Sequence, residues 1–131
     1  MKFEIQSIGV IHSPFINKKD APPQVSYSSN TIATVEIYPV YVDGINGLER
    51  FEYIIIISYL HKSQGYSLMT IPRTDNKLRG VFSTRSPHRP NPIALSITKL
   101  LEIKNNILHI QGIDLINGTP VLDIKPYIKE I

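Results

Sequence analysis

The residues best suited to chemistry lie in one run, Gly80-Val81-Phe82-Ser83-Thr84-Arg85-Ser86-Pro87-His88-Arg89-Pro90-Asn91-Pro92-Ile93. It holds two Arg, one His and three Pro, with no acidic residue. Each Pro fixes its own φ and pushes the preceding residue away from the α region. The run therefore reads as a stiff, mostly extended loop and not a helix. Such a loop orders at little entropic cost around an anionic or planar ligand, with Arg85, Ser86, His88 and Arg89 as its contacts. The plainer alternative is a Pro-rich surface turn with solvated charges.

Arg85 suits a carboxylate, which its guanidinium can grip through two parallel hydrogen bonds. As an exposed ion pair it would contribute only about 0–1 kcal/mol. Arg89 suits an RNA phosphate or open solvent. His61 follows an Ile-rich stretch, at a strand end where a β scaffold carries site residues; it can contact a cofactor, shuttle a proton, or simply be a satisfied rim histidine. His88 is a second base candidate, whereas His12 and His109 read as structural. Asp114 suits a cationic amine or ribose hydroxyls, or else an Asx turn before Asn117-Gly118. Asp123, Lys125 and Tyr127 alternate along a short strand and so share one face. They either line an acceptor pocket, with Tyr127 stacking on a base, or form a structural ion pair beside a rim tyrosine. Lys18, Lys19, Lys62, Lys77 and Arg79 would add diffuse attraction for RNA, although no basic run is dense enough to require it.

Several chemistries find no support. There is no G-x-G-x-x-G, no P-loop and no G-x-S-x-G elbow. The four His never pair at metal-ligand spacing, so no metal is expected. The chain has no Cys, which removes disulfides and thiolate nucleophiles and suits a reducing compartment. Its start lacks a signal-peptide pattern, and its longest apolar run, Ile54 to Ile57, is too short to span a bilayer. A soluble, cytoplasmic protein is the expectation.

The elements that must position these groups read as strands. The 131 residues suffice for one domain, 1–131, and at 42% hydrophobic and 19% charged they describe a globular chain. Net charge is +3 with a pI near 9.2, which permits RNA or an acidic ligand without requiring either. Ten Pro and seven Gly punctuate the chain at short intervals. Strands are expected over Phe3 to Ile11, Thr31 to Ile37, Phe51 to Leu60, Ser67 to Ile71, Leu95 to Leu101, Ile107 to Ile113 and Val121 to Ile124. Ala33, Val35 and Ile37 should face inward, and the four consecutive Ile after Tyr53 suggest a central strand. Asn105-Asn106 and Gly118-Thr119-Pro120 read as turns, and Asp43 as the cap of one short helical turn. Six or seven mostly antiparallel strands with little helix imply an all-β domain. A small closed barrel or pseudo-barrel is the favoured form, because closure removes exposed edges.

From Gly80 to Ser96 the chain closely resembles the signature of the TsaA-like (TrmO) family of tRNA N6-methyltransferases. The likeness extends to Ile8-Gly9-Val10-Ile11-His12-Ser13-Pro14-Phe15, Ala21-Pro22-Pro23-Gln24, Asp43-Gly44 to Phe51, Leu60-His61 and the closing run Asp114 to Tyr127. It implies a dimerising β-barrel that binds S-adenosylmethionine without a Rossmann fold. It also implies methylation of N6 of threonylcarbamoyladenosine, beside the anticodon of tRNA. By position, the cofactor residues would be Pro22, Pro23, Gln24, His61, Lys62, Arg85, Leu95 and Asp114. His61, Asp123, Lys125 and Tyr127 would serve catalysis, and His88 and Arg89 the substrate. The chain departs from the family pattern at Ala94, where Gly is usual, and at Asn117, where Asp is usual. It also lacks the C-terminal extension of bacterial members. These departures leave room for a non-catalytic cofactor- or nucleotide-binding module, or for a smaller acceptor.

Overall fold

A computed structural model describes residues 1–17, 30–73 and 75–129. Six strands close into an antiparallel barrel in the order β1-β2-β7-β6-β3-β8. They are β1 Gly9–His12, β2 Ile32–Ile37, β3 Tyr53–Tyr59, β6 Ile93–Lys104, β7 Ile107–Gln111 and β8 Pro120–Pro126. A separate two-stranded ribbon joins β4 Met69–Thr70 to β5 Arg79–Gly80.

Alternation sets the core. Ala33, Val35 and Ile37 of β2 point inward, as do Ile54 and Ile56 of β3 and Leu108 and Ile110 of β7. With Ile11, Ile113, Leu115 and Val121 they form one apolar cluster inside the barrel. β3 pairs with β6 on one side and β8 on the other, the central position that its Ile run implied. Gly9 lets β1 approach β2 closely, because a Cβ there would collide with the Glu36 carbonyl oxygen. Asn105 turns the β6–β7 hairpin with a φ of 55°, a left-handed conformation that Asn tolerates.

Four expectations need correction. Phe3 and Ile5 do not belong to a strand: they are 79% and 62% exposed, and pairing begins only at Gly9, which faces both Ile37 and Val121. The stretch Ser67 to Ile71 contributes only Met69–Thr70, and to the ribbon, not the barrel. Asp43 lies inside a 3-10 turn, Pro39–Ile45, whose cap position is Tyr38; a second turn covers Leu48–Arg50. Pro39 supplies the pre-set φ that starts the first turn, so no acidic cap is needed. The Arg/Pro run opens with a 3-10 turn, Val81–Ser83, before its prolines impose extension.

The inner surface where β3 meets β6 is polar. Ser58, Ser96 and Thr98 are buried there, and among the described residues the Ser58 and Thr98 hydroxyls find no hydrogen-bond partner. An unsatisfied buried hydroxyl costs more than an apolar group of the same shape. Thr98→Val is therefore expected to stabilise the barrel by about 1 kcal/mol. A urea midpoint that stays the same or falls would show that this hydroxyl has a partner in solution.

Candidate functional site

Antiparallel pairing brings distant segments to one end of the barrel. β3 leaves it at Tyr59, β6 enters at Ile93, β8 enters beside Ser58, and β1 leaves past His12. The chain after β7 runs on toward the same end and delivers Asp114 between the buried Ile113 and Leu115.

Backbone bonds stitch two loops together over this rim. Leu60 N–H donates to the Pro92 carbonyl at 2.7 Å, Ser67 N–H to His88 at 3.3 Å, and Val81 N–H to Leu68 at 2.8 Å. Ser63 Oγ donates to the Pro87 carbonyl at 2.8 Å and lies 3.5 Å from His88 Nδ1. The run shapes itself with hydroxyls. Thr84 Oγ1 donates to Val81 O and accepts from Ser86 N–H, and Ser86 Oγ accepts from His88 N–H. Arg89 turns back on the loop, and its Nη1 donates to the carbonyls of Thr84 (3.0 Å) and Ser86 (3.1 Å). That clamp brackets Arg85. Arg89 thus serves the loop's shape, a role that residue type alone did not distinguish from phosphate binding. Ser63 and Thr84 were the residues that sequence reasoning passed over as builders of the site, and Ser86, expected as a ligand contact, shapes the loop instead. The density of hydroxyls among the prolines was their signal.

Arg85 is exposed, and among the described residues its guanidinium has no hydrogen-bonded or ion-pair partner. Asp114 is half-buried, and burial raises its pKa above the usual carboxylate value; its own backbone amide and the positive field of Arg85 only partly oppose this. Arg85 thus lies near enough for Asp114 to feel its charge, with no hydrogen bond or ion pair between the two side chains. His61 stands on the rim just past β3. Partial burial of its ring, and secondarily the Lys62 ammonium, hold its pKa below the ordinary imidazole value. Its neutral form, a proton acceptor, therefore prevails at neutral pH.

Asn117 and Ala94, the two departures from the family pattern, have local explanations. Asn117 Oδ1 accepts from Ser13 N–H at 3.1 Å, a task that needs an acceptor oxygen but no charge. Ala94 lies in β6 opposite Ser58 and does not have positive φ, so its methyl group introduces no backbone strain.

The other candidates lie on the outside of the barrel. Leu95 is 46% exposed on β6, next to Ile57 of β3, which in turn faces Asp123 of β8. Asp123 and Lys125 share this outer face, as alternation implied, and bond to each other at 2.8 Å. Tyr127 is not brought to the rim. Its N–H donates to the Tyr53 carbonyl at the start of β3, a strand length of about 20 Å from the His61 end. His12 bonds Glu36 at 2.9 Å across β1 and β2, and His109 sits within β7. Pro22, Pro23 and Gln24, with Lys18 and Lys19, lie outside the described residues. Among the described residues, no three His, Asp or Glu cluster so as to hold a metal ion. No helix there is long and apolar enough to cross a membrane.

A single small barrel with opposed free charges at one rim, reached by a Pro-stiffened loop, defines the class. The chain belongs to the tRNA-methyltransferase O N-terminal domain family, whose model matches residues 10–131. It is 44% identical over 131 residues to a Methanothermobacter thermautotrophicus protein named a probable S-adenosyl-L-methionine-binding protein, covering 100% of this chain and 94% of that one. It is 39% identical over 132 residues to human tRNA (adenine(37)-N6)-methyltransferase, covering 95% of this chain and 30% of the human one. The crystal structure of TrmO from Pseudomonas aeruginosa superposes with a TM-score of 0.78 at 33% identity, over 98% of this chain and 57% of TrmO. The chain thus spans under a third of the human methyltransferase and little more than half of TrmO.

Proposed function

We propose that this chain binds S-adenosylmethionine at the Arg85–Asp114 rim and methylates N6 of threonylcarbamoyladenosine beside the anticodon of tRNA, acting as a cytoplasmic homodimer. The observation that carries the reading is the exposed, unbonded Arg85 guanidinium acting on the half-buried Asp114 carboxyl at the barrel end where β3 delivers His61. Arg85 suits the carboxylate of an amino-acid zwitterion, and Asp114 its ammonium group. The donor set of this rim therefore fits the methionine part of the cofactor. When bound, the cofactor supplies a sulfonium-activated methyl group. The protein's part is to hold the acceptor nitrogen in line and to accept the proton that leaves N6; His61 is the group with the right protonation state for that. Family membership and the human relative's name support the tRNA substrate.

The homodimer reading draws on the outer face of β6 and β3. Tyr59, Ile93, Leu95 and Ile97 lie there 37–46% exposed, an apolar patch of the kind that marks interfaces. If strands of two copies cross antiparallel on this face, the Tyr127 end of one barrel approaches the rim of the other. Sedimentation equilibrium reads the stoichiometry directly.

A second reading has its own support. The Methanothermobacter relative, nearly equal in length to this chain, is named only for cofactor binding. A methyl-transfer assay separates the two. Labelled S-adenosylmethionine is expected to mark tRNA carrying threonylcarbamoyladenosine and to leave tRNA with plain adenosine unmarked. Cofactor binding without transfer to either RNA would favour the binding module.

A further inference from the structure

Positive charge is concentrated in one segment of this molecule, which also exposes apolar side chains. Residues 61–92 carry six cations against the single acid Asp75, a net +5. The rest of the chain carries eight cations and ten acids, a net −2. Arg79 is paired with Asp75 at 2.7 Å, and Arg89 commits its Nη1 to carbonyls of its own loop. Lys62, Arg73 and Lys77 are exposed and have no ion-pair partner among the described residues. The same segment exposes two aromatic rings, Tyr66 at 60% and Phe82 at 76%. Both border the rim. Ser67, next to Tyr66, bonds the His88 backbone, and Phe82 stands three residues before Arg85 on a turn anchored by the buried Val81.

We propose that this arm, built on the β4–β5 ribbon, is the surface that grips the single-stranded RNA around the target base. Tyr66 and Phe82 would stack on bases, and Lys77 and Arg73 would hold phosphates. Exposed rings interleaved with unpaired cations are what sequence-tolerant binding of single strands requires, because every base offers a π face and every linkage a charge. A second copy of this chain fits the arm poorly, because two net +5 surfaces repel each other. The proposal rests on the tRNA reading above and adds where the RNA lies.

The test measures binding of an anticodon stem-loop RNA by fluorescence anisotropy, alongside calorimetric titration of S-adenosylmethionine. Tyr66→Ala and Phe82→Ala are each expected to weaken RNA binding roughly tenfold, and Tyr66→Phe less than about twofold. Lys77→Gln is expected to lower the slope of log affinity against log salt by about 0.7. Cofactor affinity should stay unchanged in all four variants. If the wild-type protein binds RNA and the variants bind it equally, the arm proposal falls and the tRNA reading stands. If the wild-type protein binds no RNA, both fall together. A loss of RNA binding that tracks lost cofactor affinity, or dissociation of an oligomer in sedimentation, would also overturn direct contact.

Discussion

Replacing Arg85 by alanine is expected to weaken S-adenosylmethionine binding about a hundredfold and to lower the thermal stability of the unliganded protein only slightly. Hydrogen bonds to charged groups contribute about 1.5–3 kcal/mol each, and a bidentate grip on a carboxylate makes two of them. The folded protein draws little on this guanidinium: it is exposed, lacks a bonded partner among the described residues, and is a lesser influence on the Asp114 carboxyl than burial. Its contribution to folding is therefore small, and most of its value goes to the ligand. Arg85→Lys should recover only part of the affinity, because an ammonium keeps the charge but loses the planar fork. Calorimetric titration measures both variants. If Arg85 were an ordinary surface charge, alanine would cost at most about 1 kcal/mol, less than tenfold, and the rim would have to bind its ligand by other means.

Arg85 also illustrates what was legible without coordinates. The prolines of its run exclude regular α-helix whatever surrounds them, so a stiff loop follows from local sterics alone. The same is true of β2, where Ala33, Val35 and Ile37 alternate with Thr34 and Glu36, and of the Asn105 turn. Nothing local signals that Phe3 and Ile5 remain unpaired, because a β-prone segment becomes a strand only where a neighbour offers its ladder. Val10 finds Glu36 and Pro120 as neighbours; Phe3 finds none. The structural task of Arg89 was illegible for a related reason. Its side chain bonds carbonyls three and five residues back, a fold of the loop on itself that no periodicity encodes. Tyr127 shows the limit of face arguments. Period-two alternation holds for Asp123 and Lys125, but it says nothing about distance along the strand or about a residue past its end. Pairing with β3 carries it to the far end of the barrel.

Asp114→Asn is expected to separate binding from stability, and in opposite directions. Burial raises the pKa of Asp114 in the folded protein above its value in the unfolded chain. The folded state therefore holds this proton more tightly, and stability falls as pH rises from below the unfolded pKa through the folded one. The desolvation of its ionised form is only partly compensated by its own amide and by Arg85. Asparagine removes the charge at nearly equal volume. The melting temperature at pH 7 should rise by about 3 °C, and the gain should vanish in acid, where both proteins are neutral at this position. Affinity for S-adenosylmethionine should drop at least tenfold, because the ligand's ammonium loses the half-buried Asp114 carboxylate as its partner at the rim. In the wild-type protein the same affinity should decline as pH falls through a carboxylate pKa higher than usual. Such a residue is kept for what it binds, at a cost to the fold that carries it. A variant that melts lower at pH 7 and binds as tightly as the wild type would instead make Asp114 a structural partner of the loop that follows β7.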